Sequence, residues 1–139
     1  MKKTLIIFAT TLLIVSTLSS FAANNPLKEK ESKVIITYYV EAIALGSDIY
    51  HKYLFSDDFE YTNTANNDKF KKKQYLKFLK NTKGYKFDCK TDYQILDETG
   101  KSCVAKATMT FSHFTRVDYI TLNRSDDGWK VSKVVTTYP

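Results

Sequence analysis

The chain has four glycines in 139 residues, Gly46, Gly84, Gly100 and Gly128, and they form no phosphate-cradling loop and no dinucleotide fingerprint. No serine stands in a nucleophile elbow. The two histidines, His51 and His113, lie far apart in the chain, and neither belongs to a metal-ligand spacing. No metal and no cofactor is therefore expected. No cysteine closely follows the apolar run near the start, which excludes lipid attachment to an N-terminal cysteine. Internal repeats, low-complexity tracts and linkers are missing as well. The charge excess is mild: 21 basic residues face 15 acidic ones, a net +6 that falls to +4 without Lys2 and Lys3. Such a balance neither demands nor excludes an anionic partner. The run from Lys69 to Lys73 comes without a basic groove and reads as a solvated helix face, so no nucleic-acid partner is expected.

What is present begins with a leader. Lys2 and Lys3 precede an apolar run of 14 residues, 5–18, and Ser20-Phe21-Ala22 supplies small residues where a signal peptidase reads. A membrane-spanning helix needs about 20 apolar residues, so no stable membrane anchor is expected. Residues 1–22 read as a cleaved signal peptide of an exported bacterial protein, periplasmic or secreted. Residues 23–139 are a single-domain length.

Export invites a disulfide between Cys89 and Cys103. Strand register argues against it. With a turn at Asp97-Glu98-Thr99-Gly100, Cys103 faces Ile95 and Cys89 lies about 20 Å further along its strand. A disulfide needs Cα atoms within about 7 Å, so two buried free thiols are expected.

Periodicity predicts a helix over residues 27–45, with Val34, Ile35, Tyr38, Tyr39, Ala42 and Leu45 on one face and Gly46 as its stop. Ser47 is placed to cap a second, shorter helix with Ile49, Tyr50, Tyr53 and Leu54 buried. Ser56-Asp57-Asp58 breaks it, residues 59–62 form a short strand, and 63–68 a turn or loop. Residues 69–81 return to helix, with Phe70, Tyr75, Leu76 and Leu79 on its apolar side and Gly84 as its stop. Everything beyond is strand. Tyr85, Phe87, Cys89, Thr91, Tyr93 and Ile95 alternate with polar residues, and Cys103, Ala105, Ala107, Met109, Phe111 and His113 form the next inner row. Residues 117–123 and 129–137 supply the last two strands.

Helices segregated from a run of strands define an α+β fold. Three N-terminal helices pack on one face of a curved, mainly antiparallel mixed sheet, forming a cone with a central pocket. The final hairpin is the far wall of that cone. This order resembles the nuclear-transport-factor-two-like superfamily over essentially the whole mature chain. The most specific likeness is the closing hairpin, where Asp118, Tyr119, Gly128, Trp129, Lys130, Val131 and Lys133 resemble the branch labelled lumazine-binding or SnoaL-like. Where relatives carry a His-Pro before the first strand, this chain has Phe55-Ser56-Asp57. The resemblance implies a ligand pocket and a homodimer formed through the sheet face.

Ketosteroid-isomerase-like chemistry in such a cone would need a carboxylate base in an apolar cavity and a hydroxyl partner. Asp58, Glu60 and Asp118 are the carboxylates near the expected inner surface. Asp118 and Tyr119 are consecutive on one strand, so only one of them points inward. Asp118 is alternatively a partner of Arg116 or a lysine on the outer sheet. His113 is a possible proton shuttle or a structural residue, and a Cys–His pair with Cys89 or Cys103 competes with inert buried thiols. The expected pocket lining is Tyr39, Tyr61, Phe87, Met109, Phe111, His113, Tyr119 and Trp129. Two functions stand open. One is non-catalytic binding of a small apolar or aromatic molecule, or service as an interaction module. The other is an isomerase, hydrolase or cyclase acting on a carbonyl or epoxide, with Asp118 or Glu60 as base and a tyrosine or His113 as partner. A cone filled by its own side chains is a third, structural reading.

Overall fold

The computed structural model describes residues 24–139. The expected signal peptide, residues 1–22, lies outside them. The first helix, α1 (Ser32–Ala44), starts later than periodicity predicts. Ahead of it, Asn25 Oδ1 accepts from the Leu27 N–H at 2.9 Å, and Lys30 N donates to the Leu27 carbonyl at 3.0 Å. That local turn competes with helix and pins Leu27 into the core. On α1, Ile35, Ile36, Tyr39, Val40 and Ile43 are buried at helical spacing, while Leu45, expected on the same face, is exposed just past the end. Gly46 stops the helix at φ +65°, and a Cβ there would meet Tyr85 N at 2.5 Å, so the position admits only glycine.

The second helix is shorter still: α2 (His51–Leu54) has no side-chain cap from Ser47, and Ile49 is 73% exposed. Strand β1 (Phe55–Asn63) absorbs the Ser56-Asp57-Asp58 stretch expected to break the chain. Local turn propensity loses because Phe55 and Phe59 are buried and Phe55 pairs with Val131 across the sheet. Phe70 belongs to a further strand, β2 (Asp68–Lys71), rather than to a helix. A turn with Asn67 at φ +61° folds β2 back on β1, where Phe70 faces Tyr61. Helix α3 (Lys72–Asn81) then buries Tyr75 and Leu79.

Four long strands complete the sheet: β3 (Lys90–Thr99), β4 (Ser102–Thr110), β5 (Thr115–Ser125) and β6 (Gly128–Thr137). Spatial order is β2-β1-β6-β5-β4-β3, with β1 parallel to β6 and every other pair antiparallel. Register shifts interrupt three of these ladders, and such bulges bend a sheet. The result is an open six-stranded mixed sheet with helices covering its inner face, the α+β cone expected from the sequence.

The β3–β4 hairpin turns tighter than expected, with Thr99 facing Ser102 and a bulge between Ile95 and Asp97. Cys103 therefore faces Glu98, and Ile95 faces Ala105. Cys103 is a buried free thiol; Cys89, also free, is half-buried and precedes the strand. The expected strand segment 85–89 is irregular, with Tyr85 70% exposed, because β4 ends at Thr110 and offers it no partner.

Candidate functional site

Alternation along β5 decides what the cone contains. Asp118, Ile120 and Leu122 are fully buried facing the helices, while Tyr119 is 39% exposed on the outer face. Tyr119 is thereby removed from the expected pocket. Arg116, two residues before Asp118, shares its face, and β4 and β6 set Ala107 and Thr136 on either side of the aspartate. Ala107 takes up little room, which lets Tyr39 descend from α1. The four side chains close on one another. Arg116 Nε donates to Asp118 Oδ1 at 2.9 Å and Nη2 to Oδ2 at 3.0 Å. Thr136 Oγ1 donates to Oδ1 at 2.7 Å, and Tyr39 Oη to Oδ2 at 2.7 Å. Tyr75 Oη lies 3.4 Å from Tyr39 Oη. The pairing of Asp118 with Arg116 expected on the outer sheet thus exists on the inner one.

Burying one member of such a pair alone is expensive, and only matched geometry with further hydrogen bonds makes the pair tolerable. Burial, then the negative charge of Asp118, pushes the Tyr39 hydroxyl well above its ordinary pKa. Burial and Asp118 raise Tyr75 as well. For Arg116 burial opposes the charge, but Asp118 outweighs it, and its pKa rises. Both tyrosines therefore stay protonated, and Tyr39 remains a donor. A general base must reach its substrate's proton at about 2.6–3.2 Å. The four donors already directed at Asp118 leave no such approach without breaking the knot.

Around the knot the cone is packed. Tyr39 meets Phe55 with ring centroids 6.3 Å apart, Phe55 meets Phe59 at 4.8 Å, and Tyr61 stacks on Tyr75 at 4.8 Å. Tyr39, Tyr61 and Met109, expected to line a pocket, are core residues. Trp129 pairs with Arg124 at the opposite end of the strands, beside a depression of about 450 Å³ bordered by Glu31 and Glu98. A second depression, about 340 Å³, separates α1 from the edge strand β3 over Val40 and Tyr93.

The knot's own end of the cone is closed by rings. Phe111 stacks on Phe114 at 4.4 Å, Phe87 lies 5.7 Å from Phe111, and Tyr138 lies 6.1 Å from Phe114. Phe87 and Phe111 are half-buried and pack against the core. Phe111 N donates to the Phe114 carbonyl at 2.9 Å, closing a turn that carries His113 out into solvent. The strand alternation expected to aim His113 inward stops at Thr110. Glu60 also faces outward, paired with Lys71, and Asp58 is exposed, accepting from Ser56 Oγ at 2.6 Å. Burial raises the pKa of both thiols, first of its causes in each, and neither is a candidate nucleophile beside a histidine. Among the described residues no cluster of three or more His, Cys, Asp and Glu could hold a metal ion.

Thr136 and Phe114 escaped sequence reasoning, and the sequence shows Tyr75 only as part of an apolar helix face. Arg116 and Asp118 carried a readable signal, since residues two apart on a strand share a face. Its depth followed from the sheet, not from the residues.

An open α+β cone with a charged floor and an aromatic mouth is the class that fold and site define. The fold is the nuclear-transport-factor-two-like one. The chain is similar to a protein of that type from Silicibacter pomeroyi, of unknown function, at 10% identity and TM-score 0.63 over 77% of this chain and 92% of that one. A nuclear-transport-factor-two-like protein of Cytophaga hutchinsonii shares 16% identity at TM-score 0.61, covering 78% and 99%. A protein of Parabacteroides distasonis, provisionally named a ketosteroid isomerase, shares 18% identity at TM-score 0.60, covering 84% and 93%. No family model matches the chain, and no curated protein does, so the likeness to the lumazine-binding branch rests on the closing hairpin alone.

Proposed function

We propose that this chain is an exported binding module without catalytic activity, which takes a small apolar or aromatic ligand at the aromatic mouth of its cone. The observation that carries this reading is the saturation of Asp118 by Arg116, Tyr39 and Thr136. The isomerase, hydrolase or cyclase alternative needs a free base. Glu60 and His113 stand in solvent, and Asp118 is engaged on both oxygens. Flat apolar ligands suit rings that can re-stack around them, and Phe87, Phe111, Phe114 and Tyr138 supply four. The basic start, apolar run and small residues of 1–22 support export. A homodimer through the outer sheet face is supported by Tyr119 and Val135, which are register partners there.

Native mass spectrometry of protein recovered from its own export compartment tests the reading. A bound mass of small-molecule size that is lost on denaturation is expected. Turnover of carbonyl substrates, abolished by Asp118→Asn in a folded variant, would replace the binder by the enzyme.

A further inference from the structure

Resting on the reading of the mouth as a binding site, the chemistry of its ligand can be taken one step further. A guanidinium carries five N–H donors in a fixed fork. In Arg116, Nε and Nη2 are engaged by Asp118, with Thr136 Oγ1 a weaker partner of Nη2 at 3.4 Å. Nη1 makes no hydrogen bond among the described residues. It is nevertheless not one of the buried polar atoms left without a partner, a set that among the described residues contains only His51 Nε2. Nη1 therefore reaches water, through the 11% of the Arg116 side chain that stays open.

Its direction matters. β5 enters the cone from the turn at 111–114, so Arg116 lies nearer the mouth and Asp118 deeper. With Nε and Nη2 turned to Asp118, Nη1 lies on the side of the guanidinium away from the aspartate. The rim adds little field of its own, since exposed Asp88 stands between exposed Lys86 and Lys90.

We propose that this site takes a flat aromatic carboxylate, its ring among Phe87, Phe111, Phe114 and Tyr138 and its carboxylate accepting hydrogen bonds from Arg116 Nη1. The ring takes the place of the present Phe111–Phe114 stack, which requires the turn between them to swing outward. The carboxylate replaces water on a guanidinium already held in place by Asp118, so little side-chain freedom is lost.

Substituting Arg116 would strand Asp118 in the core, so the test varies the ligand instead. The mature chain, residues 23–139, is titrated with 2-naphthoate and with its neutral isostere 2-naphthamide, and NMR follows the Arg116 Nε–H and the amides of residues 111–114. The expected result is naphthoate binding tighter than the amide by about tenfold or more, with shifts at both places. Phe114→Ala, at an exposed ring, should weaken the naphthoate without unfolding the chain. Equal binding of the two probes at the mouth would overturn the carboxylate and leave the binding module intact. Binding that shifts only the lysines of α3 would also overturn it. No shift from either probe would overturn both readings together.

Discussion

The floor and the mouth of this cone meet where the turn at 111–114 enters β5, Phe111 and Phe114 on one side and Arg116 and Asp118 on the other, and they obey opposite rules. At the floor, Asp118 is fully buried and each of its oxygens meets two donors. At the mouth, Phe114 is 51% exposed and its ring is held only by other rings. A saturated ionic floor is rigid and chemically quiet. Exposed stacked rings give up less when they move aside for a ligand. That difference is the ground for proposing that binding takes place at the mouth, with the floor presenting one arginine.

The comparison is broken most severely at the floor. Asp118→Ala leaves Arg116 buried without its partner and should destabilise the fold by about 3–5 kcal/mol, read as a lower urea midpoint. Tyr39→Phe deletes one charge-assisted donor and little volume, for a loss of about 1.5–3 kcal/mol. A midpoint unchanged within error in either variant would mean that the knot does not hold the cone.

A pH titration sharpens the same contrast. Tyr39 and Tyr75 have pKa values raised above the ordinary 10.0 in the folded chain. A raised acid gives stability that is complete below the unfolded value and disappears as pH rises through the folded one. Stability should therefore decline from about pH 10 upward, and Tyr75→Phe should flatten that decline. An unaltered alkaline slope in the variant would contradict the burial of its hydroxyl. The smallest effect belongs to the mouth: Phe114→Ala should change stability by less than about 1 kcal/mol, because half of the ring is already in water. A larger loss would make the mouth part of the core.

Periodicity recovered the run of helices and long strands and the inner row of β4 from Cys103 to Met109, because these segments bury one face and so keep a clear period. The inward face of β5 stays open in the sequence and is decided by the sheet. It failed where tertiary pairing overrode local preference. Ser56-Asp57-Asp58 reads as a break, yet it lies inside β1, because burial of Phe55 and Phe59 on either side draws the chain into pairing with β6. Phe70 fits a helical face as well as a strand, and the turn at Asn67 decides for the strand. At the site, the carboxylate and its arginine were legible as a pair, but their common burial depends on Ala107 and on a tyrosine from a distant helix. His113 was misplaced by extending alternation past Thr110, where the turn at 111–114 ends the strand.

A double-mutant cycle on Arg116 and Asp118 tests most directly whether the cone floor is a closed, non-catalytic knot. Arg116→Met and Asp118→Leu are each expected to lose about 3–5 kcal/mol, and the double variant far less than their sum, because apolar side chains can replace a buried pair. Additive losses would contradict the account: the two charges would then not depend on each other, and Asp118 would again be free to act as a base.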